Sequence, residues 1–287
     1  MPAVAGMFYP DDPESCRAEA QAYLQGASGQ SNESRRWMGG IVPHAGWICS
    51  AAIAAETIAA LARQAAPDVV VIFGAIHTPI RTELAALDTH QAWWVPGGEM
   101  ELASESGRKL LESPDLFAAD ERFHRHEHAV EVELPLIQLA WKQATILPIE
   151  VPAREQAVAI GQATARNLNA AGLNVVYLAS SDLTHYGPNY GFVPAGVGIG
   201  GLQWALDNDR RLLDLVKNFS VEAIVPHVRE NLNACGAGAI AAMLAACREA
   251  GASAVEVLRH ANSFQTLAES APQPPTNAVG YASVVVG

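Results

Sequence analysis

The chain has 287 residues, half of them hydrophobic and 17% charged, with a formal net charge of −12. So much apolar sequence can fill a large core and argues against disorder over most of the length. The negative balance, with no Lys/Arg cluster longer than Arg35-Arg36, argues against nucleic acid and anionic membranes as partners.

The opening segment, Met1 to Pro10, lacks the basic start and long apolar core of a signal peptide. Residues 11–26 read as a helix with Asp11, Asp12 or Pro13 near its start, and the Ser/Gly/Asn-rich stretch 27–36 as a surface loop. A strand is predicted at 39–43, a helix at 50–66 and a strand at 68–74, a unit that should cross over right-handed into a parallel sheet. The longest apolar stretch, Ser50 to Ala66, is interrupted by Glu56 and Arg63 and is too short and too charged to span a bilayer. Residues 84–95 alternate and predict one or two strands, and 101–113 a helix. The segment 127–142 mixes acids and apolars, and the four-residue spacing of Glu127 and Glu131 predicts one shared helix face. A strand at 145–149, a helix at 154–171 and a buried strand at 174–179 follow. The Gly/Pro-rich loop 186–201 departs from the context of a dinucleotide fingerprint and reads as a lid. Helices at 202–217, 220–231 and 236–250 and strands at 255–259 and 281–286 complete the chain. With no composition break and no repeat, the expectation is one α/β domain over residues 1–287, with a mostly parallel or mixed central sheet flanked by helices.

Three histidines stand where apolar runs end. His44 follows Gly40-Ile41-Val42-Pro43, His77 follows Val69 to Ile76, and His185 closes Ser180-Ser181-Asp182-Leu183-Thr184-His185. Continuous apolar runs bounded by turns read as buried parallel strands, and open α/β sheets place their chemistry just past the carboxyl ends of such strands. Three imidazoles so placed point to a shared pocket, although any one of them also reads as a turn histidine bonded to backbone. Cys235 precedes Gly236-Ala237-Gly238-Ala239 at a predicted helix start, where a thiolate is stabilised; the other reading is a small buried thiol, which suits Cys16, Cys49 and Cys247. Four cysteines without framework spacing favour a reducing, cytoplasmic setting. In Phe123 to Glu133, His124, His126 and His128 alternate; with Glu127 and Glu131 they suit groups that orient metal-binding imidazoles, a general acid or base, or a polar surface.

Taken in order, Ala3 to Pro10, Pro43-His44-Ala45-Gly46-Trp47, Gly74-Ala75-Ile76-His77, Glu127 to Pro135, Ser180 to Gly187 and Cys235-Gly236 resemble the six sequence blocks of the MEMO family, whose prokaryotic members are called AmmeMemoRadiSam system protein B. The resemblance covers nearly the whole chain. It implies a fold like that of class III extradiol dioxygenases, with His44, His77 and Cys235 as metal ligands, His185 as acid/base and Asp182 beside it. Glu127, His128, Glu131 and Trp47 would orient ligands or meet substrate. Trp47 replaces the family's usual Tyr, Ala75 its Pro, and Glu133 stands where Gln or His is common.

A cysteine in place of the dioxygenases' carboxylate makes the donor set softer and oxidisable, so Cu and Zn compete with Fe(II). The expectation that follows is a non-haem iron oxygenase or related oxidoreductase acting on a small phenolic or enediol-like chelator. Two alternatives stand beside it: a non-catalytic metal- or peptide-binding partner of radical SAM and AMMECR-like proteins, and a zinc-dependent hydrolase.

Overall fold

The computed structural model describes residues 2–27, 31–32, 34–79, 82–268, 270–272 and 274–287. In chain order its elements are α1 (Pro13–Gly26), β1 (Gly39–Val42), α2 (Trp47–Ala62), β2 (Val69–Gly74), β3 (Ala85–Leu87), β4 (Ala92–Val95), β5 (Gly98–Glu101), α3 (Ser104–Leu110), β6 (Phe117–Ala119), α4 (Glu121–His124) and α5 (Leu134–Ala140). There follow β7 (Thr145–Glu150), α6 (Ala157–Ala170), β8 (Val175–Ser180), β9 (His185–Tyr186), a 3₁₀ turn at Pro188–Tyr190, α7 (Ile199–Lys217), a 3₁₀ turn at Val221–Ala223, α8 (Ile224–Asn231), α9 (Ala237–Glu249), β10 (Val255–Asn262), α10 (Ser263–Thr266) and β11 (Ala278–Val286).

Among the described residues, nine strands form one mixed sheet in the order β10-β11-β1-β8-β2-β7-β3-β6, with β9 paired to β11. Its centre, β1-β8-β2-β7, is parallel, and β11 and β3 join that centre antiparallel. The central strands are largely apolar because both sheet faces are covered, with buried polar side chains such as Glu150 and Ser180 at their carboxyl ends. In β2, Val70, Val71, Ile72 and Phe73 are fully buried, each contributing about 1.5–3 kcal/mol relative to exposure. One core lies between the sheet and α6, α9 and the α8 region; the other lies between the opposite face and α1, α2 and α5.

Local chemistry explains several boundaries. Asp12 is the residue that caps α1, its carboxylate accepting the Ser15 amide at 2.8 Å. Helix α2 starts three residues earlier than its apolar periodicity suggests, directly after Gly46. It lies close over the sheet: Thr57 Oγ1 donates to the Ile41 carbonyl at 2.9 Å, and a Cβ at Gly40 would sit 2.6 Å from the Thr57 methyl and 2.1 Å from the Val284 carbonyl. The glycines of β1 thus permit this approach.

Two expectations are corrected. Residues 127–133 are not helical; helix begins only at Leu134, so Glu127 and Glu131 share no helix face. The predicted 101–113 helix shrinks to α3, because Gly98–Glu101 pairs with β4 as a separate hairpin. Strands β1, β8 and β2 are neighbours, so the segments that follow their carboxyl ends meet above one edge of the sheet.

Candidate metal centre

His44 leaves β1 after Pro43, His77 follows β2 by three residues, and Cys235 arrives from the other side on the segment before α9. That segment is docked against the end of β8: Leu183 bridges Ala234, the Cys235 amide donates to the Asp182 carbonyl at 3.2 Å, and the Gly236 amide donates to Ser181 Oγ at 2.9 Å. A Cβ at Gly236 would lie 2.7 Å from the Ser180 carbonyl and from Ser181 Cβ, so only glycine lets the thiol come this close. Cys235 Sγ is 3.2 Å from His44 Nε2. One donor atom from each of His44, His77 and Cys235 falls within 4.8 Å of the others.

Both imidazoles are held from behind. Ser180 Oγ donates its single proton to the Ala129 carbonyl, so at 2.7 Å from His44 Nδ1 it must accept. His44 therefore carries its proton on Nδ1 and turns an Nε2 lone pair toward Cys235. The His44 amide donates to Asp182 Oδ1 at 2.9 Å, fixing the backbone as well. His77 Nδ1 donates to Glu127 Oε1 at 2.9 Å, which leaves the Nε2 lone pair free to meet an ion. The Glu127 carboxylate also accepts the amides of His77, His128 and Ala129.

The charges follow from these contacts. Burial alone would lower the His77 pKa, but Cys235 and Glu127 outweigh it and push it up to about 10. Burial would raise Glu127, but His77 and the backbone amides pull it down to about 2. The shift is larger on His77 because the thiol faces it too. Burial, then the neighbouring His77 charge, lowers His128 to about 4, and the same causes lower His44 well below its ordinary value. Burial raises the Cys235 thiol against the opposing pull of His77, and raises Asp182 against that of His185.

His128 joins the cluster, its ring stacked on His77 at 4.6 Å and set edge-on to His44 at 5.3 Å. With Glu127 it forms a second trio of donors that shares His77. His185 is half-buried at the rim; Nδ1 donates to the Leu183 carbonyl at 3.0 Å, leaving Nε2 free, and Tyr190 packs edge-on at 5.1 Å. Tyr190 comes from the loop read as a lid, whose last three residues belong to α7.

Glu131 and Trp47 are placed elsewhere. Glu131 accepts the amides of Ala3 and Val4 and the Tyr9 hydroxyl, pinning the N-terminal segment. Trp47 is buried, donates from Nε1 to the Val132 carbonyl at 2.9 Å and packs on Tyr9 and Tyr23. Neither appears among the groups that bond or pack against the donor atoms. Glu133 is wholly buried, and burial holds its carboxyl well above the usual range. Sequence reasoning gave no role to Ser180, the Ala129 carbonyl or Tyr190. The Ser180-Ser181 pair, two small hydroxyls directly after a buried strand, was the available signal for the first.

Two nitrogens and one sulfur that converge, each imidazole fixed by its far nitrogen, fit a borderline transition ion. None of the four cysteines is in a disulfide, and no described helix is long and apolar enough to cross a membrane.

The family described as Memo-like protein matches residues 1–285. A MEMO1 family protein from Thermococcus onnurineus is 33% identical over 293 residues, covering 99% of this chain and 98% of its own length. Those from Thermococcus kodakarensis and Methanococcoides burtonii are 32% and 33% identical, each again over 99% of this chain and 98% of their own. A match of this length, spanning every residue of the His44/His77/Cys235 cluster, shows that the chain belongs to the MEMO family.

Proposed function

We propose that this protein is a metal-dependent oxidoreductase that holds one redox-active ion, Fe(II) foremost, with His44, His77 and Cys235, and that acts on a small substrate bound through oxygen atoms. The observation that carries this reading is the convergence of the three donor atoms within 4.8 Å at the carboxyl edge of the parallel strands. Three protein donors leave coordination positions for substrate. The ion, when bound, supplies Lewis acidity and electron exchange. The protein's own part is positional and acid/base. Ser180 and Glu127 keep Nε2 of each ligand imidazole free, and Asp182 holds the His44 backbone. His185, fixed through Nδ1, presents the lone pair of Nε2 to take up a proton from substrate. The kinship in fold with class III extradiol dioxygenases, inferred from the motifs, supports a phenolic or enediol-like chelator as substrate; the association with radical SAM and AMMECR-like proteins is part of the same proposal.

The thiolate favours softer ions, so zinc-assisted hydrolysis is the second reading. An anaerobic Fe(II) titration of metal-free protein, with Cys235→Ser alongside, tests the site. Oxygen uptake with catechols and enediols then tests the activity. Tight iron weakened by the substitution, followed by substrate-dependent oxygen uptake, supports the proposal. Iron binding indifferent to Cys235 refutes the ligand set; turnover with zinc and no oxygen uptake moves the function to hydrolysis.

A further inference from the structure

A cavity of about 460 Å³ opens between the β3–β4 loop, the β4–β5 hairpin and α4, lined among others by Asp88, His90, Trp93, Glu121, His124 and His126. None of these residues serves the His44/His77/Cys235 cluster. Donor atoms of Asp88, His90 and Glu121 lie within 4.8 Å of one another. Asp88 is buried to 3% side-chain exposure, and it accepts both the His90 amide and the Trp93 indole N–H. It takes the proton of His90 Nδ1 at 2.6 Å, which turns His90 Nε2 outward as a free donor. That atom is 3.7 Å from Glu121 Oε2, too far for a hydrogen bond and close to the spacing of about 3.3 Å between two ligands of one tetrahedral ion.

A separate feature of the cavity points the same way. The His124 side chain is 3% exposed. Nδ1 stands 3.1 Å from the buried Glu150 carboxylate, and neither ring nitrogen has a hydrogen-bond partner among the described residues. A buried imidazole nitrogen left without a partner at a cavity wall is a standing cost unless something there accepts its bond.

From this arrangement we propose a second metal site, for a zinc-class divalent cation, with His90 Nε2 and Glu121 as ligands, Asp88 fixing His90, and the His124 imidazole in the same wall. A nitrogen and carboxylate set without thiolate suits Zn(II) and leaves positions for water. Occupancy ties the β3–β4 loop to Glu121, at the start of the segment whose Glu127 holds His77.

Zinc titration of the His77→Ala/Cys235→Ser double variant tests this apart from the first site, with bound zinc and the fluorescence of the adjacent Trp93 and Trp94 as readouts. The expected result is one zinc per chain with a change in tryptophan emission, weakened about tenfold or more by adding His90→Ala, or by Glu121→Gln if the first change perturbs folding. No zinc bound at about 100 μM free metal, or binding untouched by both changes, overturns the proposal. Should the first site fail its own test, because Cys235→Ser alters no metal binding, the effect of His90→Ala still decides this one.

Discussion

Ser180→Ala removes one hydroxyl from behind the proposed metal ligands. In the native protein that oxygen is fully buried and bridges the Ala129 carbonyl and His44 Nδ1. Alanine fits the space but leaves both groups unpaired where water does not reach. Each unpaired buried group costs about 1–3 kcal/mol. Allowing for partial relaxation, and for the hydroxyl's own burial cost removed with it, the net loss should be about 2–4 kcal/mol. The His44 imidazole also loses the contact that fixes its tautomer, and loss of such an orienting partner lowers metal affinity by about 10–100-fold. Urea unfolding of metal-free protein, with the slope checked for constancy, reads the first effect; an anaerobic Fe(II) or Zn(II) titration reads the second. A variant within about 0.5 kcal/mol of wild type and with unchanged affinity would refute the inference that Ser180 fixes His44.

Glu127→Gln tests the other imidazole through pH. In the metal-free protein His77 is raised from 6.5 to about 10, so its contribution to stability is complete below pH 6.5 and is lost as pH rises through 10. Glu127 is lowered from 4.5 to about 2, so its contribution is complete above pH 4.5 and is lost as pH falls through 2. The amide variant should therefore flatten the decline in stability between pH 6.5 and 9, below the range where Cys235, itself raised from 9.0, begins to contribute. An unchanged slope would refute the assignment of the His77 shift to Glu127. Gly161→Ala should destabilise by about 1–3 kcal/mol in the same unfolding assay without altering metal affinity, because the new Cβ would meet the Ala242 carbonyl of α9 at 2.0 Å. Of the four thiols, Cys16 and Cys247 are in the cores and should resist alkylation until unfolding. Cys235, half-buried and with its thiol raised by burial, should react slowly but measurably in native metal-free protein above about pH 8 and be protected by bound metal, as peptide mapping after mass labelling would reveal; equal labelling with and without metal would count against it as a ligand.

Local sequence carried much of the fold. Runs such as Val69 to Phe73 and Val175 to Ala179 have no polar residue to turn toward water, so they had to be central strands covered on both faces, and the residues after them had to lie at the sheet's carboxyl edge. The order of the motif blocks sufficed for the family. What the sequence could not contain was which strands are neighbours and what each side chain touches. Strand order β1-β8-β2 puts His44 and His77 beside the end of β8, and the Leu183–Ala234 bridge brings Cys235 to 3.2 Å from a histidine 191 positions away. Glu127 and Glu131 looked equivalent by spacing. A non-helical turn sends one to His77 and the other to the N-terminal segment. Trp47 sat inside a site motif, yet α2 begins at that residue and directs the indole into the core. Periodicity and motif order are properties of the chain and survive without the fold. Hydrogen-bond partners, tautomers and the sub-5 Å convergence of donor atoms arise from contacts between distant segments, and only the packed sheet and helices decide them.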